Sequence, residues 1–102
     1  MILISAEVNA PAAYVYINVC GHSKISGLCS SVSAIMMYAE IACREADMNT
    51  VISRNKTGNF EIKAKLNPIT EFTLGCLIQT FVCLQKKYKG EIIIKELSSN
   101  GS

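Results

Sequence analysis

No hydrophobic run in the sequence approaches the ~18 residues that a membrane-spanning helix needs. The apolar opening Met1-Ile2-Leu3-Ile4 lacks a basic flank and meets Glu7 almost at once, so neither a secretory signal nor a membrane partner is expected. Ten basic residues against eight acidic leave a net charge of only +2, and no basic stripe is interleaved with aromatics. That argues against a nucleic-acid partner. The one small cluster, Lys86-Lys87-Tyr88-Lys89, suits the negative end of a helix dipole. Five cysteines make an odd count without paired spacing, for which reduced thiols in a cytoplasm are a better reading than a disulfide framework. No linker, repeat or low-complexity segment divides the 102 residues. The expectation is a single domain over 1–97 and a disordered tail over 98–102.

Half of the residues are hydrophobic, and their spacing sorts them into elements. Met1 to Val8 is β-rich, and Asn9-Ala10-Pro11 supplies a turn. Tyr14, Tyr16, Asn18 and Cys20 then alternate with Val15, Ile17 and Val19, a strand whose aliphatic set faces a core. From Leu28, the residues Val32, Ile35, Met36, Ala39, Ala42, Cys43 and Ala46 recur at three and four. They predict a helix to about Asp47, with Ser26 as its N-cap and Ser23 as a competing one. Thr50 to Arg54 is a short strand, Asn55 to Asn59 a turn, and Phe60 to Leu66 a strand with one wet face. Asn67-Pro68 ends it. Thr70 is the expected cap of a second helix from about Glu71 to Lys87, with Leu77, Phe81, Leu84 and Tyr88 on one face and Gly90 at its close. Glu91 to Leu97 is a last strand.

The order β-β-α-β-β-α-β predicts an α+β two-layer sandwich, one five-stranded sheet with two helices packed on one face. Cys43, Cys76 and Cys83 are expected as buried small hydrophobes, and Tyr14, Tyr16 and Tyr38 as half-buried packing. Ile35 to Ala46 and Phe72 to Tyr88 carry more apolar residues than one helix face needs, which predicts a homodimer with Met36-Met37 in the core or at the contact.

Chemistry concentrates between the second strand and the first helix, where the one histidine, His22, stands close to Cys29. With Ser26 as cap, Cys29 takes the third helical position, where free amides and the helix dipole favour a charged sulfur. His22 ends the adjoining strand, and the short loop Ser23 to Leu28 keeps the imidazole near the helix mouth. The Cys29 amide and its neighbours suit an oxyanion in acyl transfer, and Gly21 and Gly27 allow another backbone to approach. An alternative uses Cys20, His22 and Cys29 as soft zinc ligands, with a fourth missing locally unless Cys43 supplies it. No metal or cofactor is expected.

Gly21-His22 followed by Cys29-Ser30-Ser31-Val32-Ser33-Ala34 resembles the ribosomal-processing cysteine protease (Prp) family. The resemblance implies a Cys-His dyad with Cys29 as nucleophile and His22 as base, and with Ser33 helping to hold the site. It implies a cytoplasmic bacterial homodimer that removes an N-terminal extension from a large-subunit ribosomal protein, or cleaves a similar site in a phage scaffold protein. Its partner would be that peptide segment. The loop is shorter than the family's usual one, and Ser26 stands where the family tends to have Asp. These departures motivate the alternative, a weak or inactive member acting as a dimeric binding or assembly module.

Overall fold

Alternating side chains along four strands build one wall of the core, and two helices close it. A computed structural model describes residues 1–47, 52–56 and 58–99. The strands are β1 (Ile2–Asn9), β2 (Tyr14–Gly21), β3 (Ile52–Lys56), β4 (Asn59–Lys65) and β5 (Ile92–Ser99); the helices are α1 (Leu28–Asp47) and α2 (Pro68–Lys87). One sheet contains all five strands in the order β3-β4-β2-β1-β5. Its pairs are antiparallel except β1 with β5. That exception follows from the connections: α1 carries the chain from β2 to one edge of the sheet and α2 from β4 to the other, and a helical crossover returns a strand parallel to its predecessor. The expected sandwich with both helices on one face is the observed architecture.

Ile2, Ile4 and Ala6 of β1, Val15, Ile17 and Val19 of β2, and Phe60, Ile62 and Ala64 of β4 are all buried beneath the helices. From α1 come Leu28, Val32, Met36, Ala39 and Cys43; from α2 come Leu74, Leu77, Ile78 and Phe81. The opposite face of the sheet is wetter and carries Tyr16, whose hydroxyl donates to Glu61 Oε2 at 2.8 Å. Arg54 Nε lies 3.5 Å from Glu61 Oε1.

Several boundaries differ from those expected. α2 starts at Pro68 and its cap is Asn67, not Thr70. Asn67 Oδ1 accepts the Ile69 and Thr70 N–H groups, each at 2.9 Å, and Thr70 Oγ1 accepts the Asn67 N–H at 3.0 Å. Proline fits the first helical position because its missing N–H would have had no helical partner. Asn55 and Lys56 end β3 and Asn59 begins β4, so the turn is tighter than the sequence suggests: Lys56 pairs with Asn59, and Gly58 takes φ +74°. The expected start of β3 at Thr50 lies outside the described residues. β5 extends through Ser98 and Ser99, which pair with Val8 and Asn9; the rest of the expected tail lies outside the described residues. Cys43 is buried as expected, but Cys76 and Cys83 are exposed, because the buried α2 positions Leu74, Leu77, Ile78 and Phe81 lie on another face. Tyr38 is also exposed, at 76%, while Met36 is buried and Met37 is not.

Burial and the Glu61 carboxylate together favour the neutral phenol of Tyr16, pushing its pKa from 10.0 up to about 12. A raised folded-state pKa contributes stability that is whole below 10.0 and is lost as pH rises toward about 12. In melting experiments across this window, Tyr16→Phe is expected to flatten the decline of Tm with pH; parallel curves for variant and wild type would contradict the assignment.

Candidate active site

The site begins where β2 runs out of room. Gly21 takes φ +99° opposite Ile2, and a Cβ there would collide with the Met1 carbonyl oxygen. Only glycine fits such a position without strain. The Gly21 N–H donates to the Gly58 carbonyl at 3.0 Å, which fastens the end of β2 to the β3–β4 hairpin. His22 follows, exposed, with its ring over Gly58. A Cβ on Gly58 would stand 2.6 Å from Nε2 and 3.1 Å from Cε1. The bare glycine is the seat of the imidazole.

The loop then folds back on itself. The Ser23 hydroxyl accepts the Ile25 N–H at 3.1 Å and donates to Glu91 Oε1 at 2.6 Å. Leu28 N–H donates to the Ile25 carbonyl at 3.2 Å, and Ser31 N–H donates to the Gly27 carbonyl at 2.9 Å, the first full turn of α1. Gly27, at φ +82°, therefore occupies the cap position expected for Ser26. Ser26 is exposed, and its side chain makes no hydrogen bond among the described residues. Cys29 is consequently the second helical residue, still among those whose amides lack helical partners. Its half-buried sulfur accepts the Ser23 N–H at 3.3 Å and lies 3.8 Å from the Ser23 carbonyl oxygen.

Gly21, His22, Cys29 and Ser33 all line one cavity of about 150 Å³, with Val32, Met36 and Phe60 among its apolar walls. Four of the five site residues expected from sequence thus come together, and Ser26 does not. No hydrogen bond joins His22 to Cys29 among the described residues; the sulfur rests on the loop and the ring on the hairpin. Chemically, the cavity offers a thiol next to free helix amides and an imidazole able to move protons. Two contributors come from distant sequence. Gly58 is marked only by its turn, and Glu91 by nothing beyond its place after a helix-ending glycine.

The zinc alternative fails on geometry. Cys20 faces the open side of the sheet while Cys29 packs against the core, and Cys43 is buried within it, where burial pushes its thiol up. Among the described residues no three histidine, cysteine or acidic side chains converge to hold a metal. Likewise, none of the described helices is long and apolar enough to cross a membrane.

Both Gly58→Ala and Gly90→Ala are expected to lose about 1–2 kcal/mol, because each puts a side chain at positive φ. Nothing lies within 4 Å of a Cβ at Gly90, so only Gly58→Ala should also shift the His22 ring resonances in NMR spectra. Equal His22 spectra for the two variants would refute the seat.

No family model and no curated protein sequence matches the chain. Among solved structures it is similar to the essential ribosomal processing protease Prp from S. aureus in complex with a covalently linked product peptide, with a TM-score of 0.76 and 17% identity over 94% of this chain and 99% of that one. The same protease with a substrate peptide gives 0.74 and 16% over the same shares. A protein from Streptococcus mutans gives 0.67 and 14% over 97% of this chain and 96% of its own. The likeness at these identities is one of architecture, and it covers nearly the whole chain: this protein has the fold of the ribosomal processing protease Prp.

Proposed function

We propose that this protein is a cysteine endopeptidase that removes an N-terminal extension from a large-subunit ribosomal protein, or cleaves a similar site in a phage scaffold protein. The observation that carries the proposal is the shared cavity of Cys29 and His22, in a fold whose S. aureus counterpart is covalently linked to a product peptide. In this reading an extended peptide lies across the cavity. The Cys29 sulfur attacks the scissile carbonyl carbon, and His22 takes the thiol proton as the C–S bond forms. The oxyanion is met by the Cys29 N–H and its helical neighbours. His22 then passes the proton to the leaving amine as the C–N bond breaks, and water, deprotonated by His22, releases the acyl group from sulfur. Ser33 lies one turn along α1 from Cys29 on the same cavity wall.

A bacterial cytoplasm belongs to the same proposal, as does a homodimer. Support for the dimer comes from the outer helix surface, where Met37, Tyr38, Ile41 and Phe72 are exposed, Phe72 at 73%. A second reading, a binding or assembly module of the same fold without cleavage, is favoured by one fact: the resting sulfur is bonded to Ser23 rather than to His22.

On a peptide spanning the N-terminal extension of a ribosomal protein from the same genome, Cys29→Ala and Cys29→Ser are expected to abolish cleavage. His22→Ala should lower kcat/KM by about 10²–10⁴-fold, the usual worth of a general base. Undiminished cleavage by Cys29→Ala would exclude the protease; peptide binding without cleavage by the wild type would favour the module. In sedimentation experiments the wild type is expected as a dimer and Tyr38→Glu with Phe72→Glu as a monomer. A monomeric wild type would remove the dimer from the proposal.

A further inference from the structure

Ser23 is held from two directions, and the hold ends on the sulfur. Its hydroxyl donates to Glu91 Oε1 at 2.6 Å, a short bond, while its own N–H is directed at Cys29 Sγ at 3.3 Å. Glu91 is itself well fixed. It immediately precedes β5, its N–H donates to the Tyr88 carbonyl at 3.1 Å, and its carbonyl accepts the Ile2 N–H at 2.8 Å. Backbone bonds to the end of α2 and the start of β1 therefore hold the carboxylate where the loop passes. Ser23 is the one loop side chain that bonds outside the loop among the described residues. Its hydroxyl also accepts the Ile25 N–H, so one oxygen closes the local turn and ties that turn to the sheet.

We infer that Glu91 is a positioning residue for Cys29, acting through the Ser23 hydroxyl to keep the Ser23 N–H on the sulfur. The inference rests on the reading of Cys29 as the nucleophile, since it assigns the bond a purpose in that chemistry. An N–H directed at sulfur stabilises the negative charge that the attacking atom carries. Glu91 meets the sulfur only through a neutral serine, so what it supplies is orientation rather than charge. A neutral acceptor of the same shape should therefore serve as well.

The test is the rate at which iodoacetamide labels Cys29 at neutral pH, followed by peptide mapping so that the exposed Cys76 and Cys83 do not obscure it. Glu91→Ala and Ser23→Ala are each expected to slow labelling of Cys29 by about three- to tenfold, the effect of losing one hydrogen bond. The double variant should be no slower than either single one, because both cut the same chain of contacts. Glu91→Gln, whose amide oxygen still accepts, is expected within about twofold of wild type. The amide resonance of residue 23 should move in Cys29→Ala and Glu91→Ala but stay in Glu91→Gln. Unchanged or faster labelling in Glu91→Ala, or a Glu91→Gln variant as slow as Glu91→Ala, would overturn the inference. These readouts need no substrate. If labelling behaves as expected while Cys29→Ala still cleaves peptide, the protease proposal falls and the contact chain stands. If peptide cleavage needs Cys29 but labelling ignores Glu91, the reverse holds.

Discussion

At the end of β2 three backbones meet with no space for a side chain among them. Gly21 abuts the Met1 carbonyl on one side and donates to the Gly58 carbonyl on the other, so the last residue of the strand is pinned between β1 and the β3–β4 hairpin. Everything proposed for the site depends on that joint. It fixes where His22 leaves the sheet, and the second glycine of the joint leaves the surface on which its ring rests. The chain then has only Ser23 to Gly27 in which to turn and start α1, and this brings Cys29 back against the wall it has just left. A side chain at Gly21 would strike the Met1 carbonyl and push β2 from β1, and one at Gly58 would displace the His22 ring.

The division of labour between the two faces of the sheet follows from strand periodicity. Aliphatic residues of β1, β2 and β4 commit one face to the helices, and this packing supplies most of the stability of a small domain. The site uses only the margin of that core: Val32 and Met36 of α1 line the cavity yet also belong to the core cluster. A side chain on the first turn of a well-packed helix, as Cys29 is, is held more accurately than one on a free loop. The helix also presents its unpaired amides there, so support and charge stabilisation come from one element.

How much of this was legible in the sequence depended on the range of each interaction. Strand alternation and the three-four spacing of α1 are local signals, and Val15, Ile17, Val19, Val32, Met36 and Ala39 are buried as their spacing predicts. The sheet with both helices on one face followed from them. Capping was legible less well. Ser26 and Thr70 are good cap residues by type, yet a glycine at positive φ took the first position, and Asn67 with Pro68 took the second. In the first case a backbone geometry outweighed a side-chain preference; in the second, Asn67, also a good cap by type, caps with its own side chain one turn earlier than Thr70 would. Cys76 and Cys83 are exposed against expectation because α2 is apolar on more than the face it buries, so hydrophobicity alone does not say which stripe points inward. Gly58 and Glu91 were illegible for a different reason. Both act on the His22–Cys29 segment from far along the chain, and only the sheet order brings them to it.

In the proposed reaction Cys29 and His22, which line one cavity, act in turn on a single peptide bond. Rapid-quench mass spectrometry of the wild-type protein mixed with excess peptide tests it most directly. A transient adduct is expected that maps to Cys29, carries the N-terminal fragment of the peptide as a thioester, and decays as free acid is formed. Cleavage that proceeds without such an adduct, or with the fragment on Cys20, Cys43, Cys76 or Cys83, would contradict it.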